Sequence, residues 1–490
     1  MIYIEIISSY ILEWYWLPVL IIYGGIIFML LIENRNPTKT VAWLLLIVFV
    51  PIIGLLFYMF FGRRFSENLR LKNKNHEKHT LFFSDSDVDE NFLLKDMYSA
   101  LKSYPMYKSN FEYLYLEKQS YSFSGNEVKV FHNGNDKFES LFKDIKCAKS
   151  YIHLEYYIID NDFLTQKLFK LLKERIEQGV KVRVILDGFG SNPKKKFLEK
   201  LRSFGMEVAV FLPIRFSSFS NNNFRNHRKI AIIDGDIAYV GGINISEKYI
   251  NQADDALYWR DTAFRFEGNS VFNLELQFWN TWNFVEGKNF EKPDKDKFLH
   301  NFTKNNKGNS IIGFSWSDPS SHTPFGLESL LLAIYNAKKS VKICTPYFIP
   351  EESLIRALNL ASARGIKVQM IVPYKGDSKI VQWASSSFYK PLLQRGVEIY
   401  RYTKGFMHAK LVLIDDKLIS IGTLNLDIRS FYINFEISGW LLDSALGELM
   451  AEQFEKDLKN SEKVDFSTWK KRPIIKRFLE SMCRLLAPLL

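Results

Sequence analysis

The sequence predicts an α/β protein of two similar halves, preceded by a two-helix transmembrane hairpin. Three observations carry that expectation. Two long uncharged runs occupy residues 1–71, apolar strands and amphipathic helices alternate through the remainder, and this alternation occurs twice with one polar motif repeated in each copy.

No charged side chain occurs from Trp14 to Ile32, nor from Thr40 to Gly62, runs of 19 and 23 residues. Crossing a hydrocarbon core of about 30 Å takes about 20 helical residues, so each run is long enough. The polar connector Glu33 to Lys39 suits a tight hairpin. A cleavable signal peptide needs a basic first segment, whereas Glu5 and Glu13 stand there, which favours an anchor. Tyr10, Trp14, Tyr15 and Trp16, with Tyr58, Phe60 and Phe61, would form an aromatic belt at one interface. Arg63, Arg64, Arg70, Lys72, Lys74 and Lys78 follow, against Glu67 and Glu77 alone. Positive-inside bias then puts the large C-terminal part on the cytoplasmic side, with Arg35 and Lys39 pulling the other way.

Residues 72–125 read as a membrane-proximal linker and residues 126–285 as a first lobe. Within that lobe Ser150 to Ile158 is a buried strand, followed by a helix to Gly179 and a strand from Val180 to Leu186. Residues 310–463 repeat the order with Ser340 to Phe348, a helix to Gly365, and Ile366 to Val372. Such alternation implies parallel strands joined by crossover helices. Residues 286–309, rich in Lys, Asn and Asp, read as the inter-lobe linker. The segment 464–490 sets Lys470, Lys471, Arg472, Lys476, Arg477 and Arg484 among Ile474, Ile475, Phe478, Leu479, Met482, Leu485 and Leu486. That pattern serves a basic amphipathic helix on a membrane and a terminal helix packed on the globular part equally well.

The chain has 490 residues, 47% hydrophobic and 24% charged, which excludes a disulfide miniprotein, a collagen and a disordered tail. A net charge of +11 points to anionic partners, nucleic acid or anionic lipid. Cys147, Cys344 and Cys483 are far apart and read as reduced, incidental thiols.

The chemistry lies in a doubled motif. His227-Arg228-Lys229 runs through four apolar residues to Asp234, and His408-Ala409-Lys410 runs likewise to Asp415. Gly241 and Gly422 follow their histidines by 14 positions, and Asn244 and Asn425 by 17. On a strand, side chains two apart share a face, so each His and Lys point together. Each Asp falls an odd number of positions away at a turn, which suggests a structural hydrogen-bonding role. Chain reversal brings each Asn back beside its His-Lys pair. An imidazole, an ammonium and an amide, doubled, suit a phosphodiester: one histidine attacks, the other protonates the leaving oxygen, and lysines and amides stabilise the phosphoryl oxygens. A metal would explain paired histidines too, but a lysine two residues from each would repel a divalent cation.

With these two motifs the sequence resembles the phospholipase D superfamily, and within it the bacterial cardiolipin synthases. The likeness extends to Glu33-Asn34-Arg35-Asn36-Pro37, Ala42-Trp43, Pro51, Gly54, Tyr58, Gly62 and Arg63 in the anchor. It extends also to Trp259-Arg260-Asp261-Thr262, Pro373, Asp377-Ser378, Gly422 to Ser430, and Asn434-Phe435-Glu436. The resemblance implies two phospholipase D-like lobes sharing one active site, with catalytic residues His227, Lys229, Asp234, His408, Lys410 and Asp415. It implies that His227 is the nucleophile and His408 the general acid, then base. Lys229, Lys410, Asn244 and Asn425 would hold the phosphate, and Asp261 and Glu436 would orient the imidazoles. The implied reaction transfers a phosphatidyl group between two phosphatidylglycerol molecules, giving cardiolipin and glycerol at a bacterial cell membrane, without metal or other cofactor. The anionic membrane, phosphatidylglycerol and cardiolipin are the expected partners, and nucleic acid is not one.

Blander readings apply elsewhere. His153, inside an apolar strand, reads as a hydrogen-bonded core histidine, and His76, His79, His132, His300 and His322 as solvated. Lys194-Lys195-Lys196 reads as a solvated face. Phe211, Phe216, Phe219 and Phe224 around Arg215 and Arg225 fit either a membrane-dipping lip or a loop with core aromatics. A nuclease of the same superfamily and a non-catalytic membrane scaffold are the rival functions. The hairpin argues against the first, the two complete motifs against the second.

Overall fold

A computed structural model of the chain describes residues 16–32, 37–58, 90–214, 222–251, 258–287, 307–321 and 323–487. The chain divides into two compact units: Met1–Ser66 with Ser217–Asn223, and Glu67–Phe216 with Phe224–Leu490.

Among the described residues of the smaller unit, helices span Trp16–Ile32, Pro37–Phe49 and Pro51–Phe57. Leu30, Ile47 and Tyr58 are buried together, with Tyr23, Ile26, Trp43 and Leu44 packed around them. Leu20, Ile21, Phe28, Leu31, Val41, Leu45, Val48, Phe49 and Ile53 face outward. The run expected to form one straight span from Thr40 is broken at Val50. Pro51 has no N–H to donate and its ring bars the helical conformation before it, so Val50 sits at φ −133°, ψ 69°. The chain folds back so closely that a Cβ on Gly54 would lie 2.4 Å from the Leu46 carbonyl oxygen. No helix among the described residues is long and apolar enough to cross a membrane. Of the expected connector Glu33 to Lys39, residues 37–39 begin the second helix, while residues 33–36 and the flanks Tyr10, Trp14, Tyr15, Phe60, Phe61 and Arg63 to Lys78 lie outside the described residues.

The larger unit is organised by one 15-stranded sheet made of two like halves joined edge to edge. The first lobe supplies β1 (Phe123–Phe131), β2 (Tyr151–Tyr156), β3 (Lys181–Asp187), β4 (Glu207–Phe211), β5 (Lys229–Ile233), β6 (Ile237–Gly241), β7 (Tyr258–Arg260) and β8 (Ala263–Glu267). The second supplies β9 (Ser310–Ser317), β10 (Ser340–Cys344), β11 (Phe348–Ile349), β12 (Lys367–Pro373), β13 (Glu398–Tyr402), β14 (Gly405–Met407), β15 (Leu411–Ile414), β16 (Leu418–Gly422), β17 (Leu426–Asp427), β18 (Glu436–Leu442) and β19 (Ser461–Lys463). The first lobe runs β1-β8-β6-β5-β2-β3-β4 and the second β9-β18-β16-β15-β10-β12-β13, with β19 added at its edge. β1 pairs with β9 antiparallel at the join. β2, β3 and β4 are mutually parallel, as are β10, β12 and β13, as the alternation predicts.

Each motif strand lies near the centre of its lobe's sheet. β5 and β15 are buried along their whole length, which is why their sequences read as unbroken apolar runs.

Several expectations change. The supposed linker is folded from Glu90 onward, as helices Glu90–Leu101 and Lys108–Leu116. Met97, Leu101, Tyr107, Phe111 and Leu114 enter the core of the second lobe, so this stretch belongs to the globular unit. The inter-lobe linker lies outside the described residues over 288–306. His153 is a core residue held by ring stacking, 4.2 Å centroid to centroid from Phe278, with Glu275 Oε2 3.3 Å from its Nδ1. His132 is half-buried, and burial lowers its pKa to about 3, so it is no solvated histidine. His76, His79, His300, His322, Arg215, Phe216 and Phe219 lie outside the described residues. Phe211 and Phe224 are buried, and Lys194 to Lys196 are exposed.

Candidate active site

The lobes exchange short strands at two places, and each exchange ends on a histidine. β14 pairs in parallel with β7, setting Met407 opposite Arg260. The next residues, His408 and Asp261, then meet: His408 Nδ1 lies 2.6 Å from Asp261 Oδ2. At the other place Asn226 bridges Phe435 in parallel. Again the next residues meet, His227 Nδ1 lying 2.8 Å from Glu436 Oε2. Each imidazole is therefore oriented by a carboxylate of the opposite lobe.

Electrostatics fix the proton on each ring. Burial works to raise both carboxylate pKa values, yet Lys410 and His408 pull Asp261 below its usual range and His227 and Lys229 do the same to Glu436. An ionised carboxylate only accepts, so Nδ1–H donates and Nε2 of each neutral imidazole carries its lone pair. Burial, against the pull of Glu436, lowers the His227 pKa. Burial and then Lys410 lower that of His408 to about 4.

The lysines are buried with them. Lys229 Nζ donates to the His227 carbonyl at 2.6 Å, and Lys410 Nζ to the His408 carbonyl at 2.5 Å. Burial lowers Lys229 to about 7 and Lys410 to about 8. The pair is not symmetric. Lys410 Nζ also lies 2.9 Å from Nδ1 and 3.2 Å from Nε2 of His408, whereas Lys229 bonds the carbonyl of His227.

A cavity of about 330 Å³ opens over both imidazoles, lined also by Asn244 and Asn425. That is the lower end of the roughly 300–1,000 Å³ usual for ligand pockets. Asn244 Oδ1 accepts from the Ile158 N–H at 3.2 Å, and its Nδ2 donates to the Tyr249 hydroxyl at 2.8 Å. Tyr157 sets its ring edgewise to His227 at 4.9 Å, and Trp259 does so to His408 at 5.4 Å. Arg225, Lys248 and Arg429 give the wall positive charge, beside Asp377 and Asp427. The expected phosphate-holding ammoniums of Lys229 and Lys410 do not themselves line the cavity. Sequence reasoning did not find Tyr157, Lys248, Tyr249 or Tyr347 as site residues. They carry no motif spacing and reach the cavity only through the fold.

Asp234 and Asp415, expected within the catalytic set, do not line the cavity. Each opens the left-handed turn after its strand, at φ 56° and 53°. Asp234 accepts the N–H groups of Lys149, Ser150 and Tyr151 at 2.8, 2.7 and 3.0 Å, and so fastens the start of β2 to β5. Asp415 does the same for Lys339 and Ser340 at the start of β10, at 2.6 and 2.9 Å, and takes the Tyr107 hydroxyl. Among the described residues no three His, Cys, Asp or Glu side chains converge as a metal ion would require.

Two repeated lobes meeting over paired His-Lys sets define a phospholipase D-like protein. A family model described as "Cardiolipin synthase, PLD-like domain" matches residues 141–282 and 330–458, and one described as "Phospholipase_D-nuclease N-terminal" matches residues 17–63. A cardiolipin synthase of Geobacillus sp. (strain WCH70) is 35% identical over 474 residues, 95% of this chain and 91% of that protein. One of Clostridium perfringens (strain SM101 / Type A) is 34% identical over 463 residues, 94% and 96%. The chain belongs to the cardiolipin synthase family. In fold it is similar to the phosphatidylserine synthase of Haemophilus influenzae Rd KW20, with TM-score 0.56 and 14% identity over 74% of this chain and 95% of that one.

Proposed function

We propose that the protein is a phosphatidyltransferase that makes cardiolipin and glycerol from two phosphatidylglycerol molecules. The observation that carries this reading is the crossed pair of imidazoles over one cavity, each held through Nδ1 by a carboxylate of the other lobe. His227 Nε2 attacks the phosphorus of the first lipid. The phosphorus–oxygen bond to glycerol breaks, and the leaving oxygen takes a proton from His408. The glycerol hydroxyl of a second phosphatidylglycerol then gives its proton to His408 and attacks the phosphatidyl-histidine, releasing cardiolipin.

The low pKa values of His408 and the lysines fit this order. Buried cations are short of counter-charge until an anionic phosphodiester arrives, and its charge restores protonation of His408 and of both ammoniums. Asn244 and Asn425 supply amides along the cavity wall to the phosphoryl oxygens.

Helices with apolar side chains facing outward support a membrane hairpin in the N-terminal unit, in a bacterial cell membrane with the lobes on the cytoplasmic side. The test is to supply membranes bearing the protein with labelled phosphatidylglycerol and a chelator. Cardiolipin and glycerol in equal amounts are expected; phosphatidic acid as the main product would make the enzyme a hydrolase instead.

A further inference from the structure

The helix Ile474–Leu485 seats only a narrow strip of its surface on the protein and leaves its apolar face outside. Glu480 and Cys483, then Ala487, face the protein, and the Glu480 carboxylate pairs with Arg472 at 2.9 Å. Its apolar side is open to the surroundings: Ile474 is 77% exposed, Ile475 71%, Phe478 62% and Leu485 72%, with Met482 and Leu486 alongside. At 100° per residue these positions share one face. Among the described residues nothing hydrophobic covers that face, although the helix is firmly seated. Arg484 lies over the Phe388 ring at 4.9 Å, and Trp469, just before the helix, meets Tyr389 at 5.4 Å.

Charge selects the partner. Lys470, Lys471, Lys476, Arg477 and Arg484 are exposed around the apolar face. The one acid in this stretch, Glu480, is buried against Arg472. An exposed apolar stripe with exposed cations nearby and no exposed acid suits the boundary between acyl chains and anionic headgroups. A second copy of the same face would set these cations against their own kind, which opposes self-association.

Position adds a consequence. The helix packs on Lys379–Ser387, and Val381 of that helix, with the neighbouring Asp377, lines the catalytic cavity. Tyr374 and Ile380, close to Asp377 in the chain, are also exposed. We propose that Ile474–Leu485 is a docking foot that lays its apolar face into an anionic phospholipid surface and holds the mouth of the cavity at the headgroups. The foot is distinct from the N-terminal hairpin, and its lipid contact does not depend on which reaction the site performs.

The test uses the full chain in a Cys147→Ser background, reconstituted into vesicles. A fluorophore is placed by Phe478→Cys, with Glu177→Cys in the first lobe as control. Acyl-brominated phosphatidylglycerol should quench the label at 478 and leave the control unchanged, and the quenching should be lost in phosphatidylcholine vesicles with the same bromination. Separately, the Ile475→Ser, Phe478→Ser, Met482→Ser variant should raise KM several-fold for vesicle-borne lipid and leave KM for micellar short-chain lipid unchanged. A label that stays water-exposed in both kinds of vesicle would overturn the proposal. So would a label already shielded in detergent without phospholipid, because another protein surface would then cover the face. Equal quenching in phosphatidylcholine would overturn the anionic preference. The fluorescence arm reads lipid contact without turnover, so it stands apart from any failure of the phosphatidyl-transfer reading.

Discussion

The two halves of the site are built on one plan and finished differently. In both, a parallel exchange between lobes delivers a histidine to a foreign carboxylate, and a lysine two residues on bonds the histidine's own carbonyl. At His408 the exchange is a three-residue ladder backed by a buried ion pair across the lobes, Arg260 to Asp457 at 2.7 Å. The ring there also meets its lysine and is enclosed by Trp259, Phe406 and Tyr249. At His227 the exchange is a single bridge, and Arg228 reaches Glu155 of its own lobe at 3.7 Å. The two motifs place two like bases in unlike surroundings, and the proposed mechanism assigns one as nucleophile and the other as proton carrier.

Histidine removal breaks the comparison most severely. His227→Ala and His408→Ala should each lower cardiolipin synthesis by about 10⁴-fold or more, the range for losing a nucleophile or general acid. With an activated donor whose leaving group needs no proton, His408→Ala should still release one equivalent of leaving group rapidly, and His227→Ala should release none. Rapid-quench kinetics decides between them.

The carboxylates come next. Glu436→Gln and Asp261→Asn keep size but lose the fixed tautomer, and should cost about 10²–10⁴-fold in turnover, as removal of a histidine-orienting acid does elsewhere. The pH profile separates this from simple misfolding. In the wild type, kcat/KM should fall on the acid side as His227 gains a proton, below the ordinary imidazole value of 6.5 because burial lowers it. On the alkaline side it should fall as Lys229, near 7, and Lys410, near 8, lose theirs. Glu436 is the group that opposes burial at His227, so Glu436→Gln should move the acid limb to lower pH. An unmoved limb would mean that Glu436 does not act through that imidazole.

Smaller effects test the scaffold. Asp457→Ala strands Arg260 in the interior and should destabilise the larger unit by about 3–5 kcal/mol, read by thermal denaturation. Asp234→Ala and Asp415→Ala each remove a charged acceptor from two or more strand-initiating N–H groups, a loss of about 2–3 kcal/mol. Their pH profiles should match the wild type.

What could be read from sequence follows how local each feature is. The His-Lys spacing, the apolar motif strands and the Asp at the turn are settled within a few residues, so the doubled motif and parallel halves were legible. The acids Asp261 and Glu436 were reachable only through resemblance, and their crossing between lobes was not legible at all. It depends on Met407 meeting Arg260, a register that no local pattern encodes. The same holds for Tyr107, whose segment reads as linker yet ends in the second lobe's core with its hydroxyl on Asp415. The break at Pro51 could have been read, because proline restricts its predecessor wherever it stands. The outward apolar face of Ile474–Leu485 could not, since amphipathicity gives a helix two faces without saying which one the protein takes.

The central claim is that one site, shared by both lobes, carries the phosphatidyl group on His227. Quenching His408→Ala in alkaline denaturant during reaction with a phosphorus-labelled phosphatidyl donor whose leaving group needs no proton, followed by peptide mapping, tests it directly. The label should be found on the peptide containing His227. Label on any other residue, or cardiolipin formed by wild-type enzyme with no labelled protein at any time point, would contradict it.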